Sequence, residues 1–259
     1  MGWSEFIWFA VPSLACCLAA GTAVWFRRGR RAAAVLMIAG IAVSAAFIAA
    51  MWIGQGRPPL RTMGETRLWY SFFLASVGYA AWRRHRYPWL LTFVAVMAAV
   101  FTVINLLKPG IHYAGLAPAL QSVWFVPHVV VYMLSYALLA AAAIGACIQL
   151  RRLSSGRSDA GLYGFIDNMA YAGFGLLTLG MLMGMVWAKE AWGHYWTWDP
   201  KETWALATAL AYLVYIHMRR QNHAPKFTLW MLPVAFVLLM ITWLGVSYLP
   251  AAQGSIHVY

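Results

Sequence analysis

Apolar and polar residues alternate along the chain in long blocks rather than in short periods. Blocks of about 20 mostly apolar residues recur from end to end, separated by short arginine-containing segments. A helix of about 20 residues crosses the hydrocarbon core of a bilayer, so each block predicts one transmembrane helix. We therefore predict an all-α, polytopic integral membrane protein with about eight transmembrane helices. The predicted spans are residues 6–26, 32–54, 66–82, 87–107, 123–149, 168–187, 202–218 and 227–249.

Composition agrees with this pattern. Hydrophobic residues make up 63% of the chain and charged residues 10%, and the mean hydropathy is +0.67, which is typical of a chain that lies in a lipid bilayer. No small-residue cleavage site follows the first apolar block, so we expect a retained helix rather than a signal peptide. Without a fixed-period repeat or a long linker, residues 1–259 are predicted to form a single membrane domain.

The net charge of +12 has the distribution of loop anchors, and this excludes a nucleic-acid-binding protein. Loops after the first, third, fifth and seventh spans hold thirteen Lys and Arg residues, and the opposite side holds six. Because the richer side of a membrane protein is usually cytoplasmic, both termini are predicted to be extracytoplasmic. We expect a multi-pass membrane protein in which the stretch between the sixth and seventh spans is extracytoplasmic as well.

Cys16, Cys17 and Cys147 all lie inside apolar blocks and form neither CxxC nor CxxCH. We expect no disulfide framework, zinc site or covalently attached haem on this chain.

Tryptophan is concentrated in residues 187–204, which are predicted to form an extracytoplasmic loop. Five of the fifteen tryptophans fall there. Interfacial tryptophans are common, but this density also suits a platform for a flat apolar ligand such as haem, and both interpretations stay open. Asp199, Pro200 and Glu202 form a predicted helix start, with Asp199 as the N-cap. The five are Trp187, Trp192, Trp196, Trp198 and Trp204.

A haem site also needs axial ligands, usually His or Met. His112, His128, His194 and His257 are predicted on the same side as the tryptophans. His217 lies near the cytoplasmic end of the seventh span, as a functional candidate or as a helix-end histidine.

Several stretches resemble one family. WGHYWTWDPKETWAL (192–206) resembles the WWD signature of haem-handling proteins of cytochrome c maturation, and its ending is similar to the CcsA/ResC branch (System II) rather than the CcmC branch. Residues 56–72, GRPPLRTMGETRLWYSF, and 120–139, LQSVWFVPHVVVYMLSYALL, resemble an outer loop and the fifth span of that branch. GSIHVY (254–259) is similar to its closing segment, with Val258 where Ser is common. The resemblance covers most of residues 50–259.

The resemblance implies a haem-handling subunit of a cytochrome c synthase (haem lyase type). Such proteins carry haem b (iron protoporphyrin IX) to the outer face and present it for thioether attachment. By motif position His128 and His257 are the outer ligands, and His217 is the buried ligand for haem in transit. The tryptophans and Asp199 are the remaining cofactor-binding residues, and no catalytic residue is implied. His112 and His194 do not match ligand positions.

The implied partners are a ResB/CcsB-type membrane subunit on a separate chain and an apocytochrome c with CxxCH. A thiol-reducing protein is a further candidate. Four outer cations are candidates to neutralise the haem propionates; the alternative is that they form ion pairs with nearby acidic residues. They are Arg57, Arg61, Lys189 and Lys201. Rival hypotheses are an exporter of haem or another aromatic solute without ligation activity, a redox protein that passes electrons to quinone, and an assembly subunit without a cofactor.

Overall fold

The computed structural model describes residues 2–60, 62–113, 122–221 and 225–246. The described residues form eight α-helices and contain no β-strand. A 3₁₀ turn precedes the first helix at Trp3–Glu5, another lies at Pro109–His112, and a π-helical turn at Ile241–Gly245 continues the last helix. The helices are α1 (Phe6–Ala23), α2 (Arg30–Gln55), α3 (Met63–His85), α4 (Pro88–Leu107), α5 (Phe125–Ser154), α6 (Ala160–Trp192), α7 (Pro200–Arg220) and α8 (Pro225–Met240).

The predicted all-α membrane fold is confirmed. Six of these helices are long and apolar enough to cross a membrane. The other two, α3 and α7, contain the two shortest predicted spans and carry more charged and polar residues. Apolar side chains such as Trp8 and Ile53 are 76% and 83% exposed. Hydrocarbon accommodates such surfaces without the cost that water would impose.

Helix α6 is longer than the predicted span 168–187 at both ends. It begins at Ala160 because the Asp159 side chain caps it, accepting a hydrogen bond from the Leu162 N–H at 3.0 Å. It continues to Trp192, where Gly193 adopts a left-handed conformation with φ 85°. The predicted loop 187–204 is therefore wrong in extent, since only residues 193–199 are non-helical.

The chain divides into two compact units, residues 1–117 and 118–259. In the first unit, α1 packs on α2 and α4, and α3 packs on α4 and α2. Its core includes a cluster formed by Phe6, Phe47, Met51 and Leu68. In the second unit, α5 packs on α6 and α8, while α7 packs on α8 and α6. The single-domain assignment stays a prediction.

Candidate functional site

The segment between α6 and α7 is ordered by its own hydrogen bonds. The Gly193 N–H donates to the Lys189 carbonyl at 3.0 Å, and the Lys189 ammonium donates to the Gly193 carbonyl at 2.8 Å. Lys189 also lies 5.5 Å from the Tyr195 ring centre. These contacts fix the point at which the chain leaves α6, and they engage one of the four cations considered for the haem propionates.

Asp199 caps α7, as the sequence predicted. Its carboxylate accepts from the Lys201 N–H at 2.9 Å, while the Glu202 carboxylate accepts from the Asp199 N–H at 3.1 Å. Glu202 also accepts from the Thr197 N–H at 2.8 Å. Asp199 is 7% exposed. Its structural role is thus visible in the coordinates, whereas its assignment to haem binding stays a prediction.

Four of the five tryptophans form two ring pairs. Trp187 is 4% exposed and packs edge-on against Trp192, with ring centres 4.7 Å apart. Trp196 and Trp198 form a second edge-on pair at 5.8 Å. Trp204 is half-buried on α7. The first pair lies on α6 and the second in the segment between α6 and α7, and their joint role as a haem platform stays a prediction.

Trp198 has an unusual backbone. Its φ is 60°, in the left-handed region that side chains other than glycine rarely adopt. Its side chain is nevertheless 68% exposed. Strained backbone conformations of this kind cluster at functional sites, whereas exposure by itself is also typical of interfacial tryptophans.

His128 lies in the first turns of α5, beside the end of α6. Its Nδ1 is 2.7 Å from the Gly180 carbonyl oxygen. A carbonyl only accepts, so Nδ1 carries the proton and, in the neutral ring, Nε2 carries the lone pair. Metal-bound histidines have this arrangement, since donation from the second nitrogen orients the ring and raises its basicity. His128 therefore fits an axial haem ligand.

Aromatic rings surround His128 on the same unit. Trp187 is nearly parallel to it, with ring centres 5.7 Å apart and an interplanar angle of 24°. Tyr132, one turn further along α5, meets it edge-on at 4.6 Å. The start of α5 is tied to the end of α6, because Ser122 donates to the Glu190 carboxylate. The structure thus brings His128, Trp187 and Trp192 together, and their role in haem binding stays a prediction.

His217 is exposed near the end of α7 in this single chain. A surface outside this chain would have to cover it for the side chain to be buried. Its Nε2 lies 2.9 Å from the Gln221 amide nitrogen. An amide nitrogen only donates, so Gln221 engages the lone pair that a metal would use. Its assignment as a transit ligand stays a prediction.

His112 is a buried structural residue. Its Nε2 donates to the Asn105 carbonyl at 2.9 Å, and its ring stacks on Trp3 with centres 3.7 Å apart. Burial lowers the pKa of its imidazole, and the Asn105 hydrogen bond opposes this only partly. His194 is exposed in the α6–α7 segment. His257 lies outside the described residues, so its pairing with His128 stays a prediction.

Among the other predicted basic residues, Arg57 pairs with Glu65 at 3.0 Å, as the acidic-partner alternative proposed. Arg61 lies outside the described residues. Within the described part of the chain, no three His, Cys, Asp or Glu side chains are arranged to hold a metal ion. A haem iron takes only its two axial ligands from such side chains, so this finding leaves the haem hypothesis as it stands.

Two site residues were missed from the sequence. Gly180 and Gly184 of α6 contact Tyr132 and His128, respectively. With Gly173 they lie seven and four residues apart, a spacing that places all three on one helix face. That spacing is the signal that sequence reasoning could have used.

Comparison with known proteins identifies the family of this chain and several relatives. The family described as "Cytochrome C assembly protein" matches residues 9–252. The chain belongs to this family. Two CcsA-type relatives are similar to it over at least three quarters of their length. "Cytochrome c biogenesis protein CcsA" of Guillardia theta is 31% identical over 229 residues, covering 76% of each chain. The protein of the same name from Synechococcus sp. (strain RCC307) is 31% identical over 259 residues, covering 85% of this chain and 82% of its own.

A solved structure shares the fold of this cytochrome c assembly protein. "Cytochrome c Heme Lyase CcmF" superposes with a TM-score of 0.64 at 18% identity, over 98% of this chain. The match spans 48% of the CcmF chain, so this protein corresponds to about half of that molecule. The resemblance to the CcsA branch, read from residues 192–206 and the stretches around them, is confirmed.

Proposed function

We propose that this chain is the haem-presenting subunit of a cytochrome c synthase. It carries haem b to the outer face of a bacterial cytoplasmic membrane and presents it for attachment to apocytochrome c, together with a ResB/CcsB-type subunit. The observation that carries the proposal is the state of His128. Its Nδ1 lies 2.7 Å from the Gly180 carbonyl oxygen, so Nε2 is the basic nitrogen of the neutral ring, and Trp187 lies beside it. Membership of the cytochrome c assembly family supports it.

Haem is the cargo and substrate in this scheme. His128 holds its iron from one side, and His257 is the proposed ligand on the other. The exposed Trp198 ring is the proposed flat contact for the porphyrin, and Trp196 packs edge-on against that ring. Stacking on such rings is favourable because both surfaces leave water. The protein residues therefore set the position of the haem edge that carries the vinyl groups.

The ligation step needs no nucleophile from this chain. Each reduced CxxCH thiol adds across one vinyl group, forming a carbon–sulfur bond to the carbon next to the ring. The thiol hydrogen goes to the terminal carbon, so the addition has no net oxidation or reduction. The CxxCH histidine then replaces one of the protein's iron ligands. The contribution of this chain is orientation of the two reactants, which accounts for large rate effects in enzymes.

His217 is the proposed ligand for haem on its way from the cytoplasmic side. Its exposure on α7 supports a shared site, in which a ResB/CcsB-type subunit covers it and supplies the second ligand. The Gln221 amide has to turn away before His217 Nε2 binds iron. Haem bound through His217 should therefore depend on the partner, whereas His217 alone should bind little.

The central test replaces His128 or His257 with Ala in the complex with its ResB/CcsB-type partner. Haem content per protein, the ferric and ferrous absorption spectra and the yield of holocytochrome c are measured. We expect each variant to lose haem and cytochrome c yield. His194→Ala is the matched control, because His194 is an exposed histidine of the α6–α7 segment outside the assigned ligands. Normal haem content, spectra and yield in both ligand variants would refute the proposal. Free haem released without apocytochrome would favour the exporter.

A further inference from the structure

The face of α6 that contacts His128 is built from glycine. A Cβ at position 184 would lie 2.7 Å from His128 Cε1 and 2.8 Å from Nδ1, closer than carbon atoms in proteins approach. A Cβ at position 180 would lie 2.5 Å from Tyr132 Cδ1. The His128 ring therefore rests directly on the α6 backbone, in space that any side chain at position 184 would take.

Other glycines on α6 do not have this role. A Cβ at Gly175 would meet no atom within 4 Å beyond the helix's own backbone. Glycine destabilises a helix interior relative to alanine, so a glycine there usually has a packing or functional reason. Gly184 has such a reason, because the His128 ring packs against it, and Gly175 does not. Comparing alanine substitutions at positions 184 and 175 therefore separates the effect of helix propensity from the effect of packing against the His128 ring.

We infer that Gly184 is a positioning residue for haem ligation by His128. The absence of a side chain at position 184 sets the place of the imidazole, and the Gly180 carbonyl sets its tautomer. This inference rests on the proposed function of His128 as a haem ligand. It assigns the geometry of that ligand to the backbone of α6 rather than to α5 alone.

The physical consequence of an added methyl group follows from the distances. Alanine at 184 pushes the ring away from α6 and lengthens the 2.7 Å contact between Nδ1 and the Gly180 oxygen. The lone pair of Nε2 then changes direction, and the ring loses the donation that raises its basicity. Loss of such an outer hydrogen bond typically weakens metal binding about 10- to 100-fold. A less basic ligand also favours ferrous over ferric iron, so the midpoint potential rises.

The experiment compares Gly184→Ala with Gly175→Ala in the complex with the ResB/CcsB-type partner. Haem content, the low-spin absorption bands, the midpoint potential and the thermal unfolding temperature are recorded. We expect Gly184→Ala to bind haem at least about 10-fold more weakly and with a higher potential. Gly175→Ala should match the unsubstituted complex in every measurement. Equal haem affinity and potential in all three proteins would overturn the inference.

A double variant keeps the test decisive if Gly184→Ala folds poorly. His128→Ala removes the ring that the new methyl group would strike, so adding Gly184→Ala to it should cause no further loss of thermal stability. If Gly184→Ala destabilises the protein equally with and without His128, the clash lies elsewhere and the inference fails. If His128→Ala loses haem while Gly184→Ala behaves normally, the inference fails and the proposed function stands. If His128→Ala itself retains normal haem, the proposed function fails.

Discussion

The ion pair between Asp167 of α6 and Arg219 of α7 should stabilise the second unit well above the level of a surface salt bridge. Arg219 Nε and Nη2 donate to the Asp167 carboxylate at 2.9 and 3.0 Å, and the Tyr215 hydroxyl donates to it at 2.9 Å. The Arg219 guanidinium also lies 4.6 Å from the Tyr163 ring centre. The two charged side chains are only 23% and 21% exposed, so solvent screens them incompletely.

The expected cost follows from this geometry. Hydrogen bonds to charged groups contribute about 1.5–3 kcal/mol each, and removing one partner of a fully buried pair costs about 3–5 kcal/mol. Because the pair keeps about a fifth of its exposure, we expect Asp167→Ala to lower the free energy of unfolding by about 2–3 kcal/mol. Asp167→Asn keeps one acceptor and should cost about half as much.

The assay is equilibrium unfolding in detergent for Asp167→Ala, Arg219→Met and the double variant. A coupling free energy of about 1.5 kcal/mol or more is expected, because the two residues are in direct contact. The control is the pair of Arg152 and Asp159, whose side chains are 42% and 30% exposed, and its coupling should stay below about 1 kcal/mol. A coupling near zero between Asp167 and Arg219 would refute the reasoning. Replacing Asp167 or Arg219 should also lower the partner-dependent binding of haem at His217, which lies two residues before Arg219.

Three further predictions concern single residues. Asp199→Ala should destabilise the protein by about 1 kcal/mol and Asp199→Asn by much less, because Asn also caps helices. Loss of haem from the Asn variant at unchanged stability would show that Asp199 has a role beyond the helix cap. Trp198→Gly should stabilise the protein by up to about 1 kcal/mol, since glycine adopts φ 60° without strain. The same variant should weaken haem binding. A loss of both stability and haem binding would contradict this prediction. Burial holds the folded pKa of His112 below its unfolded value, so the unfolded chain binds the proton more readily. Its contribution is present above about pH 6.5 and lost as the pH falls below that value. His112→Phe should flatten this dependence in pH-dependent unfolding, and an unchanged profile would contradict the assignment.

The sequence alone determined the architecture and the family. Apolar blocks of about 20 residues specify helices in a bilayer because backbone groups there bond only within the segment. Local capping chemistry was readable as well, since Asp199, Pro200 and Glu202 act on neighbours in the chain. The WWD-like stretch identified the family before any contact was known.

The end of α6 was predicted wrongly because hydropathy measures where lipid ends, not where a helix ends. Nothing before Gly193 interrupts the backbone hydrogen bonds, so the helix carries Trp187 and Trp192 beyond the apolar block. Helix packing in a membrane also lacks the polar and apolar faces that mark the inward side of a soluble helix.

The tertiary structure alone decided which histidines resemble ligands. His128 and His112 both lie near helix ends in the sequence, but one bonds a carbonyl 52 residues away and the other stacks on Trp3. The position of the His128 ring depends on the close approach of α5 to two glycines of α6. Such contacts join segments distant in sequence, and only their packing determines the position and tautomer of the ring.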